Sequence, residues 1–90
     1  MPKIQETPSA EQEKEDTLAP LILSRLFKIA RDFENQGNVY QAIGLYTKIL
    51  QEYPDSKEAE DARLALFNLA EKNLREGKTY HAMALYEKVA

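Results

Sequence analysis

Ninety residues, 43% hydrophobic and 30% charged, describe one small globular domain. With no cysteine there is neither a disulfide framework nor a thiolate metal site. A net charge of −3 argues against nucleic acid as a partner, because such proteins present basic patches. No run approaches the roughly 18 to 20 apolar residues that span a bilayer, and the start lacks the apolar core of a signal peptide. The expected location is cytoplasmic.

Residues 1–16 hold two lysines against five acids, so this segment carries the whole formal charge. It offers little to bury and is expected to be a disordered, solubilising acidic tail, with the folded domain spanning 17–90.

The first predicted helix opens with Asp16 or Thr17 as N-cap and runs to about Gln36. Pro20 falls in its first turn, where a missing N–H costs nothing. Leu18, Ile22, Leu26, Ile29 and Phe33 recur at three- and four-residue steps and mark the expected inward face. Gly37 supplies the freedom to leave the helix.

A second helix is predicted from Val39 to Tyr53, with Asn38 and Gln41 as a capping box. Its apolar stripe is Val39, Ala42, Ile43, Tyr46, Ile49, Leu50 and Tyr53, with Ala42 small where a neighbouring helix approaches. Pro54 ends it. A two-residue connection forces the first two helices antiparallel.

The third helix is expected from Ser56, as N-cap, to Arg75. Ala59, Ala62, Leu66, Leu69 and Ala70 form one apolar face; Leu64, Phe67 and Leu74 form another. Two apolar faces call for neighbours on two sides. Glu71 and Arg75 are spaced to pair one turn apart. Gly77 turns the chain again, and a fourth helix begins near Thr79.

The second half repeats the first. Gly37, Tyr40, Ala42, Leu45, Tyr46 and Lys48 recur as Gly77, Tyr80, Ala82, Leu85, Tyr86 and Lys88, a constant offset of 40 residues. The same offset pairs Leu26, Phe27 and Ala30 with Leu66, Phe67 and Ala70. A period in the range of roughly 20 to 50 residues signals stacked repeats.

These residues resemble the tetratricopeptide repeat. The matching positions are Leu26, Ile29-Ala30, Phe33, Ala42, Tyr46, Ile49 and Pro54 in the first copy. In the second they are Leu66, Leu69-Ala70, Asn73, Ala82, Tyr86 and Val89. The resemblance covers about Leu23 to Ala90. It departs from the family in lacking a tryptophan, in placing Asn73 at an aromatic position, and in its period, which is about 34 in common repeats. The extra residues are expected to lengthen the start of the third helix, around Lys57 to Ala62. The Tyr53-Pro-Asp-Ser run through Ala62 looks like the longer repeats of bacterial envelope proteins of this family. The resemblance implies an all-α fold of four helices in two stacked helix-turn-helix units, a fragment of a right-handed α-α superhelix.

No catalytic constellation is present. The single histidine, His81, aligns with Gln41 near a helix start and is expected to face water. Carboxylates alone make a poor zinc site, and Gly37 and Gly77 are isolated turn glycines rather than a phosphate-binding loop. No enzyme activity, cofactor, metal or small-molecule substrate is expected.

The resemblance implies instead a protein–protein interaction module that takes a peptide or helix in a groove lined by the first helices of each repeat. The expected groove face is Leu23, Phe27, Arg31 and Glu34 with Leu64, Phe67, Glu71 and Leu74. Phe27 and Phe67 would anchor the partner or else fill the contact between the first and third helices. The family's clamp for a C-terminal carboxylate uses Lys, Asn and Arg there; only Arg31 matches, which disfavours that ligand. Met83, Leu85 and Val89 on the last helix are expected to be uncovered, offering a face for self-association or a partner. The alternatives are a structural or assembly subunit docked permanently in a larger complex, or the first part of a longer repeat array.

Overall fold

The computed structural model describes residues 10–90, with side chains from residue 18 onward. The acidic tail expected over 1–16 lies outside the described residues as far as residue 9. Four helices follow in order: α1 Ala10–Asn35, α2 Val39–Glu52, α3 Lys57–Arg75 and α4 Thr79–Val89. The described residues contain no strand, and the fold is all-α.

The two hairpins, α1–α2 and α3–α4, turn by the same device. Gly37 and Gly77 sit at φ +86° and +80°, a region open to glycine at little cost. The amides of Gly37 and Asn38 bond to the carbonyls of Glu34 and Phe33 at 3.1 and 2.8 Å; those of Gly77 and Lys78 bond to Leu74 and Asn73 at 3.0 and 2.8 Å. Each is a Schellman cap, which satisfies the last carbonyls of the helix while reversing the chain. The offset of 40 residues is thus a structural repeat of the turn.

Three local expectations are corrected. α1 begins at Ala10, ahead of Asp16 or Thr17, since Ala, Glu and Gln are good helix formers and acids suit a helix start. Pro20 therefore lies inside the helix, where the carbonyl of Asp16 loses its amide partner. Asn38 makes no capping-box bond: it sits at φ −85°, ψ 69°, outside the β region from which a cap side chain reaches back, and its amide is held by Phe33. By contrast Ser56 caps α3 as expected, its hydroxyl oxygen accepting from the Ala59 amide at 3.0 Å.

The core runs between the hairpins. Ala30, Ala42, Ala59, Ala62, Ala70 and Ala82 are all fully buried, as are Tyr46, Ile49 and Leu66. So many buried alanines mean that backbones approach closely, and there is no room at those positions for a longer side chain. The first apolar face of α3 is buried throughout, between α2 and α4. Its second face, Leu64, Phe67 and Leu74, is exposed. Arg63 reaches from α3 to the Val89 carbonyl at 3.4 Å, serving an end of α4 that has no helical partner.

The inward face of α1 differs from the predicted stripe. Leu23 and Ala30 are buried and Leu26, Phe27 and Phe33 pack half-buried against the core, whereas Leu18, Ile22 and Ile29 are 46%, 47% and 45% exposed. The apolar spacing identified two adjacent faces of α1 as one. Among the described residues only one of them has a neighbour.

Candidate functional site: the cleft between the first and third helices

Phe27, Arg31 and Glu34 are spaced at four and three residues, so α1 presents them along one line. Two of them are held by Tyr46 of α2. The Phe27 and Tyr46 rings lie 5.8 Å apart, tilted by 52°, and the Tyr46 hydroxyl donates to Glu34 Oε1 at 2.7 Å. The Arg31 guanidinium stands 5.7 Å from the Phe27 centroid, within cation–π reach. Burial, then the hydrogen bond to the Glu34 carboxylate, pushes the Tyr46 phenol well above its ordinary value, with Arg31 opposing. The phenol is therefore a permanent donor that fixes Glu34 on the rim.

The second repeat builds a similar unit with its acid at a different position. Phe67 and Tyr86 pack edge to face at 5.7 Å. Tyr86 donates to Glu71 at 2.5 Å, and that bond raises its pKa. Glu71 stands where the first repeat has Arg31, and Leu74 where it has Glu34. Glu71 thus serves Tyr86, and no ion pair joins it to Arg75 among the described residues.

Between α1 and α3 the first of these units borders a cleft of about 380 Å³. Phe27, Arg31, Glu34 and Asn35 line it from α1, and Asp61, Leu64, Ala65 and Asn68 from α3. Four of the residues expected in a groove, Phe27, Arg31, Glu34 and Leu64, are brought together here. Phe67, Glu71 and Leu74 continue the α3 face beyond it; Leu64, Phe67 and Leu74 are 59%, 43% and 48% exposed. Leu23 turns into the core. Asn35, Asp61, Ala65 and Asn68 were not foreseen. Asp61, Leu64, Ala65 and Asn68 follow a helical spacing, but mostly as small or polar residues that a search for apolar stripes passes over.

The last helix is less open than expected. Met83 is 53% exposed, but Leu85 is 4% exposed within the core and Val89 packs half-buried against it. Leu85 lies on the side of α4 that meets α3, so its apolar character is used inside the fold.

A larger cleft of about 580 Å³ opens on the other side, among α2, α3 and α4. Tyr40, Ile43 and Leu69 line it, with Lys72, Lys78 and Lys88 around it and His81 exposed beside them. Among the described residues no group of His, Asp or Glu is arranged to hold a metal ion, and no helix is long and apolar enough to cross a membrane.

Compared with known proteins, residues 26–56 match the family model of the tetratricopeptide repeat. No curated protein and no solved structure matches the chain.

Proposed function

We propose that this chain, whose residues 26–56 match the tetratricopeptide repeat and whose four helices make two hairpins, binds a segment of another protein between α1 and α3. In this reading the module is not an enzyme. It works by presenting a shaped surface to a peptide or helix.

The observation that carries the proposal is the row of exposed apolar side chains on α3, Leu64, Phe67 and Leu74, beside the 380 Å³ cleft. Solvated leucines and phenylalanines aligned on one helix form the kind of patch that marks an interaction site. An apolar partner side chain would displace water from Leu64 and the edge of Phe27. Arg31 and Glu34 on the α1 rim and Asp61 on the α3 rim set the orientation of a partner carrying both charges.

Peptide-display selection on the whole chain tests this. Peptides with apolar anchors at three- or four-residue spacing should be recovered, and their binding should fall at least tenfold on Leu64→Glu. Binders indifferent to Leu64→Glu and to Phe67→Ala would contradict the reading.

A further inference from the structure

α1 carries a second unoccupied face, and the internal repeat specifies what fits it. Ile22 and Ile29 are 47% and 45% exposed, yet their counterparts one repeat later, Ala62 and Leu69, are 0% and 6% exposed. The difference is that α2 precedes and covers α3, and among the described residues nothing covers α1 in that way. Ile43 of α2 and Leu69 of α3 line one cleft, on the side where the two helices meet. In a register that sets Ile43 against Leu69, antiparallel helices put Thr47 opposite Ala65, one turn along from each.

The counterpart of Ile43 is Met83, 53% exposed on α4. We infer that the α4 of a second copy of this chain packs on α1, in the register by which α2 packs on α3. Met83 then meets Ile29, and Glu87 meets Arg25, one turn along from each. The charges are complementary: Glu87 and Arg25 stand where the intrachain contact has Thr47 and Ala65. Neither forms an ion pair within its own chain among the described residues. The contact extends the stacking already present between the hairpins. It is heterologous, head of one copy to tail of the next, and so leads to rings or open chains of copies rather than a two-fold dimer. It lies away from the α1–α3 cleft and does not depend on what binds there.

The test uses two variants of the full chain, Ile29→Glu and Met83→Glu, each at an exposed position, with helical circular dichroism as the control for folding. Ile29→Lys and Met83→Lys serve as the second pair should either glutamate reduce helicity. In sedimentation equilibrium the wild type should exceed the 10.3 kDa of one chain as concentration rises, and each variant alone should remain at it. Mixed one to one, the variants should form a species of two chains and no larger, since one retains an open α4 and the other an open α1. A wild type that stays monomeric at its highest soluble concentration overturns the inference and leaves α1 for a helix of a different protein. So does a Met83→Glu variant that still associates, which indicates α1 meeting α1.

Discussion

The Tyr46 hydroxyl donates to Glu34 Oε1 at 2.7 Å, joining α2 to a residue twelve positions earlier on α1, and Tyr86 makes the equivalent bond to Glu71. The two bonds do the same work from different places. In the first repeat the acceptor lies at the fourth position after the aligned alanine, Ala30; in the second it lies directly after Ala70. The tyrosine ring is the constant element, and the acid that satisfies it has moved by about one turn.

Removing the Tyr46 hydroxyl while keeping the ring isolates that bond. Tyr46→Phe should lower stability by about 1 to 2 kcal/mol, because a carboxylate loses its donor in a half-buried setting. Tyr46→Ala should lower it by about 3 to 5 kcal/mol, adding a cavity. Urea denaturation measures both. Equal effects of the two substitutions would mean that the hydroxyl, not the ring, supplies the stability.

The raised tyrosine values set a pH dependence. A phenol whose pKa is higher in the folded state than the ordinary 10.0 favours folding while it stays protonated in both states. That contribution is complete below pH 10 and declines as pH rises through the folded values. The melting temperature should therefore fall once the solution passes the ordinary tyrosine value, and by less in Tyr46→Phe. Tyrosinate absorbance should show Tyr46 ionising only as the fold is lost.

Ala42 and Ala82 occupy one position in the two repeats, and both are fully buried. Ala42→Leu should destabilise by about 1 to 3 kcal/mol through overpacking. Thermal melts read the effect, and a neutral result would mean that α1 and α2 can separate without cost.

Gly37→Ala should cost about 1 kcal/mol, since its φ of +86° is strained for any residue with a Cβ. No neighbouring atom lies within 4 Å of an added Cβ, so the loss is conformational rather than steric. Gly77→Ala should match it. Unequal losses would mean that the two turns, alike in hydrogen bonding, differ in strain.

Much of the fold was legible because the repeat wrote it twice. The offset of 40 residues predicted the shared setting of Ala30 and Ala70, of Ala42 and Ala82, and of the two turn glycines. Ser56 and Pro54 marked a helix boundary through chemistry local to the chain. What the sequence hid depended on neighbours. Leu18, Ile22 and Ile29 have the spacing of a core face, and on α3 the counterparts of Ile22 and Ile29 are core, but exposure follows from whether a helix lies alongside. Leu23 reads as a groove residue from its place off that stripe, yet it packs in the core. Asn38 has the composition of a cap, but the backbone of the turn directs it elsewhere. Four of the eight cleft residues, Asn35, Asp61, Ala65 and Asn68, are small or polar and give no periodic apolar signal.

Amide chemical-shift mapping of the full chain with a selected peptide tests the proposed binding between α1 and α3. The largest shifts should fall at Phe27, Arg31, Leu64 and Phe67, with residues of the opposite cleft such as Tyr40 and Lys88 unmoved. Shifts concentrated at Tyr40, Lys72 and Lys88, with the α3 row silent, would contradict it.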